Sequence, residues 1–184
     1  DDINRAIKIQ QNDKAQSPLR VNPDSEAVKR ARHAINGVIV EDIDSCMIKF
    51  SKCCTPVPGD DIIGFITRGY GVSVHRTDCP NAAARSDPRQ AARWVHCHWA
   101  TADDQPFNTT LELECHNRDG LVMDVSTCLF DARLRMKGFN ALELENDRCI
   151  ITVSFEVRNV TELTRVRNRL LSIKDVLAAK RGQN

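Results

Sequence analysis

The 184-residue sequence lacks any apolar run near the roughly 18 residues that a membrane-crossing helix needs, and its mean hydropathy of −0.39 suits a soluble chain. It opens at Asp1 with no initiator methionine, basic leader or apolar leader core. It therefore reads as a fragment rather than a full translation product or a secretory precursor. A cytoplasmic location is the expectation. It lacks a charge excess as well: 26 basic residues nearly cancel 25 acidic ones, so no global field favours nucleic acid or a membrane, and any RNA contact must be local. Neither a P-loop nor a Gly-x-Ser-x-Gly elbow is present, and no residue pattern points to catalysis. At this length one or two small domains are expected, and two compact units fit best.

Cysteine is what the chain does have. Its eight cysteines run from Cys46 to Cys149, several at inward positions of expected strands and helices. That distribution favours buried thiols plus one metal cluster over a secreted disulfide framework. The cluster lies in Lys52-Cys53-Cys54-Thr55-Pro56-Val57-Pro58-Gly59-Asp60-Asp61 and the nearby Gly69 to Pro80 segment, which ends His75-Arg76-Thr77-Asp78-Cys79-Pro80. Three thiols and an imidazole are the donors of a tetrahedral zinc, and His-x3-Cys suits ligands at the start of a helix. The expected ligands are Cys53, Cys54, His75 and Cys79. A variant uses one of the adjacent pair and recruits Cys46 or Asp78. The competing readings are a metal-free core of thiols and a redox-responsive thiol pair.

Residues 1–36 have linker composition, with a helix expected near 25–33. Residues 37–86 form a small β-rich unit, with strands expected over Met47 to Phe50, Ile62 to Ile66 and Val72 to His75, and a short helix after Asp78. A core so small often needs a metal or a partner. Residues 87–107 read as a connection containing a strand, in which Val95, Cys97 and Trp99 share one face and His96 and His98 the other. His96 and His98 are read as a solvated pair without a third metal ligand. From 108 to 184 the order βαββαβ emerges. Thr109 to His116 alternates, and Leu121, Val122, Val125, Cys128 and Leu129 fall at helical spacing. Strands follow over Met136 to Glu145 and Cys149 to Val157, joined at Asn146-Asp147. Asn159 with Glu162 then makes a capping box before Leu163, Val166 and Leu170, and a last strand is expected over Ile173 to Ala179. The fold class is α+β: a zinc-finger-like β-rich unit followed by a ferredoxin-like unit with two helices on one face of an antiparallel sheet.

The double-cysteine block resembles the zinc-finger domain of long RelA/SpoT-type proteins, which make and degrade (p)ppGpp. The last unit resembles an ACT domain, whose turn pattern between its first strand and first helix matches at Asn117-Arg118-Asp119-Gly120-Leu121. The resemblance, over about residues 38 to 184, implies a non-catalytic regulatory region. The parent would be a GTP diphosphokinase and (p)ppGpp hydrolase whose catalytic domains lie N-terminal to it and are its partners. It implies sensing of amino-acid supply through a bound amino acid or the ribosome, with zinc as cofactor and a branched-chain amino acid as effector. Asn117 to Leu121 would meet that effector at a helix N-terminus, and Arg135 stands where a second asparagine is expected. A homodimer through the ACT unit is expected, because it has an open edge strand. The alternative is a metal- and rRNA-binding adaptor without a small-molecule ligand. Its phosphate contacts would be Lys49, Lys52, Arg68, Arg76 and Arg85, with Arg165, Arg167 and Arg169 on the last helix. Lys137 to Leu142 superficially resembles an RNP1 start, but it lacks the stacking aromatics and an RRM mode is rejected.

Overall fold

A computed structural model describes residues 36–182 apart from 42, 44, 45, 70 and 101–104, and for Ala84 and Arg85 only the backbone. The linker expected over 1–36 and its helix near 25–33 lie outside the described residues except Asn36.

Five short strands form the first sheet: β1 (Val38–Val40), β2 (Ile48–Phe50), β3 (Ile62–Thr67), β4 (Gly71–Arg76) and β5 (Trp94–Trp99). Their order is β1-β5-β3-β4-β2, antiparallel except for the parallel β2–β4 pair. Alternation sends Val72 and Val74 of β4 into a core shared with Val38, Val40, Ile48, Ile62 and Cys97. By the same period of two, Ser73 and His75 leave on the other face. The strand expected in the connection is β5, and it belongs to the sheet, paired to β1 and β3, instead of bridging the units. The helix expected after Asp78 is a 3-10 helix over Pro80–Ser86.

The second sheet holds β6 (Phe107–His116), β7 (Met136–Leu144), β8 (Arg148–Val157) and β9 (Val176–Arg181) in the order β7-β8-β6-β9. Helices α1 (Leu121–Asp131) and α2 (Val160–Leu171) complete βαββαβ. The longest register runs Phe107↔Val157 to His116↔Arg148. Its inward residues Leu111, Leu113, Cys115, Ile151, Val153 and Phe155 pack against Leu121, Val125 and Leu129 of α1 and Leu163, Val166 and Leu170 of α2. Asn146 and Asp147 both have positive φ, 60° and 52°, the conformation of a tight hairpin turn. Asn159 caps α2 by accepting from the Glu162 amide at 2.9 Å, and Glu162 reaches back to the Arg158 amide at 2.7 Å.

Two expectations shift. Val122 is exposed, because the buried stripe of α1 follows i, i+4 spacing through Leu121, Val125 and Leu129, and a neighbour of Leu121 lies about 100° around the helix. The last strand begins at Val176 because Ser172 ends α2, and Asp175 turns the chain with a φ of 73°.

The two sheets are joined through their cores. Val57 is fully buried within the core of the second sheet. Phe50 stacks on Trp99 at 5.6 Å between ring centroids, and Phe107 meets both edge-on at 5.5 and 5.4 Å.

Candidate metal centre and the turn before the first helix

Cys53 and Cys54 sit on the turn that leaves β2. The buried Ser51 anchors it: its amide donates to Val74 O at 2.9 Å, and its carbonyl accepts from the Thr55 amide at 2.9 Å. Thr55 takes a positive φ of 40°, which bends the chain so that both preceding thiols reach one point. His75 projects from β4 on the face opposite Val72 and Val74. Cys79 precedes the 3-10 helix, its amide bonded to Arg76 O and its carbonyl to the Ala82 amide.

The donor atoms of Cys53, Cys54, His75 and Cys79 all lie within 4.8 Å of one another. Cys53 Sγ is 3.5 Å from Cys79 Sγ and 3.4 Å from His75 Nδ1, and Cys54 Sγ is 3.9 Å from the same nitrogen. Four donors around a tetrahedral ion with bonds of about 2.3 Å stand roughly 3.8 Å apart, so the spacing fits zinc. Cys54, Cys79 and Ala82 are buried there with Cys53, Ile63 and Trp94 packed around them. The Trp94 ring meets His75 edge-on at 5.8 Å.

Burial pushes the Cys54 thiol up to about 12, and the neighbouring Cys53 and Cys79 add to the shift, while the Arg76 amide opposes it by donating to Cys54 Sγ at 3.3 Å. Without a cation the Cys54 thiol thus resists ionising. A divalent ion held by these four residues would supply the charge that favours thiolate, and the Arg76 amide is already placed to bond it at Cys54. Burial also lowers the pKa of His75 and so favours the neutral imidazole that coordinates.

The substitute donors are engaged elsewhere. Cys46 packs against the first core. Asp78 is bound by Arg76, with Nε 2.8 Å from Oδ1, and this hydrogen bond holds its carboxyl below the usual range. All eight cysteines are free thiols. His96 and His98 are both exposed, and His98 stands 4.0 Å from Glu41.

The turn Asn117 to Leu121 does precede α1, with Gly120 as its N-cap at a φ of 79°. Its polar groups are engaged within the chain. Asn117 Nδ2 donates to Glu143 Oε1 at 3.1 Å. Arg118 donates to Asp175 Oδ2 at 2.8 Å and to Asp124 Oδ2 at 2.6 Å. Asp119 and Arg135 are exposed, and Arg135 meets the sheet through its carbonyl, which accepts from the Glu156 amide.

Of the basic residues considered for phosphate, Lys49, Lys52 and Arg68 are exposed, as are Arg165, Arg167 and Arg169. Lys49 and Lys52 line a cleft of about 390 Å³ that includes Cys53, Ser73 and His75. Arg76 is half-buried and paired to Asp78. The Arg85 side chain lies outside the described residues.

Sequence reasoning missed the contacts between the sheets. Arg181 of β9 donates to Thr55 O at 2.7 Å and to both oxygens of Asp60, at 3.0 and 3.3 Å. Trp99 Nε1 donates to Asp60 O at 2.9 Å. The run Pro56-Val57-Pro58-Gly59, with one apolar valine between prolines, was the only signal of a loop packed on both sides.

Comparison with known proteins matches residues 38–100 to the RelA/SpoT RIS domain and residues 103–181 to the ACT domain. The chain is 32% identical to a GTP pyrophosphokinase of Haemophilus influenzae over 96% of its own length and 24% of that protein. It is 36% identical to the bifunctional (p)ppGpp synthase/hydrolase RelA of Mycobacterium tuberculosis, over 76% of this chain and 19% of that protein. The chain thus spans a quarter or less of these relatives. Among solved structures it resembles the ACT domain of a GTP pyrophosphokinase of Chlorobium tepidum, with 12% identity, a TM-score of 0.38, and 42% of this chain and 99% of that one covered.

Proposed function

From the premise that this chain belongs to the RelA/SpoT-type proteins, joining their RIS domain to an ACT domain, we propose that it senses amino-acid supply and biases remote catalytic domains between (p)ppGpp synthesis and hydrolysis. The two domains are regulatory rather than catalytic. The whole protein is read as a cytoplasmic (p)ppGpp synthetase/hydrolase. No helix among the described residues is long and apolar enough to cross a membrane.

Zinc is the proposed structural cofactor, and the observation that carries it is the convergence of Cys53, Cys54, His75 and Cys79 within 4.8 Å. Bound there, zinc would tie the β2 turn to β4 and to the 3-10 helix. Those three pieces already share the small cluster around Cys54, Cys79 and Ala82 and the bonds from Ser51 to Val74 and from Cys79 to Arg76, and zinc would add a covalent-strength tie at their meeting point.

The proposed effector is a branched-chain amino acid at the turn Asn117 to Leu121; Arg135, bonded to Glu156 at the opposite end of β7 from Glu143 and Asn117, would have to reach it from a second copy. Backbone N–H groups before α1 favour a carboxylate there. A second copy is proposed to complete the site: among the described residues β7 is an edge strand paired only to β8, and Met136, Leu142 and Leu144 on it are exposed. The test is calorimetric titration with valine, isoleucine and leucine beside control amino acids, after zinc content and mass in solution are measured. Saturable binding lost in Asn117→Ala establishes the sensor. Absence of heat with every amino acid rejects it.

A second reading is favoured by one feature, the closure of the Asn117 and Arg118 side chains onto Glu143, Asp124 and Asp175. On this reading the chain is an adaptor that docks the enzyme on ribosomal RNA through Lys49, Lys52 and Arg68 without a small-molecule ligand. RNA affinity falling steeply with salt, together with no amino-acid heat, would select it.

A further inference from the structure

The loop that leaves the metal cluster is also the piece of the RIS domain that the ACT domain grips. Cys53 and Cys54 are followed by Thr55, whose carbonyl accepts from Arg181 at 2.7 Å. Val57 enters the ACT core with no exposed surface. Pro58 O accepts from the Val160 amide, the first residue of α2, at 2.8 Å. Gly59 lies so close to α2 that a Cβ on it would stand 2.6 Å from Val160 Cγ1. Asp60 takes the Arg181 guanidinium on both oxygens, and these side chains are only 10% and 15% exposed.

Each contact comes from residues 55–60, a stretch outside helix and strand whose own support is one turn, with the Asp60 amide donating to Val57 O at 3.0 Å and the Val57 amide to Asp60 Oδ2 at 2.8 Å. Thr55 has a positive φ of 40°, which a β-branched residue adopts only when its surroundings enforce it. On its N-terminal side the enforcing groups are the donors gathered at Cys53 and Cys54; on its C-terminal side they are Arg181, Trp99 and α2. We propose that residues 51–61 are a coupling element through which metal held by Cys53, Cys54, His75 and Cys79 sets how firmly β9 and the start of α2 are seated on the RIS domain. The proposal rests on the metal reading above. Coupling of this kind is reciprocal: Arg181 tightens the metal as much as the metal fastens Arg181.

The test is amide hydrogen exchange on the whole chain, zinc-loaded and after removal by a chelator, with zinc measured by a chromogenic assay. Exchange over residues 176–182 and 160–163 is expected to quicken about tenfold on zinc removal, while the β7–β8 hairpin, remote from the loop, stays unchanged. In Arg181→Lys, which keeps the charge but loses the two-oxygen grip, those segments should exchange fast with or without zinc. Its zinc affinity should fall by the same factor. Asp60→Asn removes the ion pair from the other side and should reproduce both effects, guarding against a folding defect peculiar to one variant. One equivalent of bound zinc with no change in β9 or α2 exchange overturns the coupling alone. No zinc uptake overturns the metal reading and the coupling together.

Discussion

Asn117 and Glu143 are hydrogen-bonded across the mouth of the turn before α1, Nδ2 to Oε1 at 3.1 Å. A carboxylate of the chain therefore already stands on the amide proposed to meet an amino-acid ligand. Glu143 lies on β7 opposite Cys149, so its position is fixed by sheet register. An amino acid whose own carboxylate seeks Asn117 must displace Glu143, and like charges at that distance repel. Glu143→Gln should therefore tighten valine or leucine binding several-fold, by roughly 1 kcal/mol for one relieved repulsion and one weakened competing hydrogen bond. Calorimetry on the variant decides. Unchanged affinity would place the ligand away from Asn117.

Zinc removal should cost stability where the sulfur cluster is the main tie. The packed group around Cys54, Cys79 and Ala82 is small, so a loss of about 3 kcal/mol is expected, which in a chain of this size lowers the thermal midpoint by about 6–12 °C. Cys79→Ser should show the lower midpoint without a chelator and no further fall with one. Scanning calorimetry with and without chelator reads both.

Leu142 and Leu144 lie exposed on the outer strand β7, and Leu142 is opposite Ile150 in the register. If a second copy pairs along this edge, a charge there must be buried beside its own copy across the two-fold axis. Leu142→Lys should shift the chain from dimer to monomer, a weakening of about tenfold or more. Sedimentation at several concentrations measures it. A variant with the mass of the unaltered chain would exclude this edge.

Glu114 of β6 and Lys180 of β9 form a cross-strand ion pair on the face of the second sheet away from α1 and α2. The hydrogen bond from Lys180 is the main cause that lowers the Glu114 carboxyl below 4.5, and the same bond raises Lys180 above 10.5. A lowered acid contributes stability at pH above its ordinary value and loses it as pH falls through the lowered one. A raised base contributes below its ordinary value and loses it as pH rises through the raised one. The pair is solvent-exposed, so the stability at stake is small. Carboxyl NMR titration should find Glu114 below 4.5, returning toward it in Lys180→Ala.

Much of the second sheet was legible because its signals are local. Alternation from Leu111 to Cys115 and from Cys149 to Val157, the Asn146-Asp147 turn and the Asn159/Glu162 box each act within a few residues. That Cys53, Cys54, His75 and Cys79 would gather is an expectation from side-chain chemistry, and their donor atoms do lie within 4.8 Å of one another. What the residues did not disclose depends on distance along the chain. Arg181 reaches Asp60 across 121 positions, and no pattern near either residue marks the pairing. Strand β5 looked like part of a connection because its partners, Val38 to Val40 and Ile63 to Phe65, are remote in sequence. Nothing near Glu143 in the sequence sets it apart on its strand, and it is the fold that brings it to Asn117.

Trp99 is the residue through which the two sheets share one aromatic cluster, stacked on Phe50 and edge-on to Phe107 while its indole N–H donates to Asp60 O. Its contributions separate. Trp99→Phe keeps a ring against Phe50 and Phe107 but abandons the hydrogen bond, leaving Asp60 O unpaired by it, and should cost about 1 kcal/mol. Trp99→Ala removes the stacking as well, and because the residue is half-buried the loss should fall near the low end for such truncations, about 3 kcal/mol. Trp94, which packs on Phe65 at 4.8 Å and on His75, lies at the metal-centre end of the first sheet. Trp94→Ala should therefore weaken zinc retention directly, whereas Trp99→Ala should loosen the junction of the sheets and weaken zinc less, only through the loop that its indole N–H bonds at Asp60. Chemical denaturation of both variants, followed by far-ultraviolet circular dichroism and by zinc release, distinguishes them. Equal zinc loss in the two would mean that the aromatic cluster and the metal centre unfold as one unit.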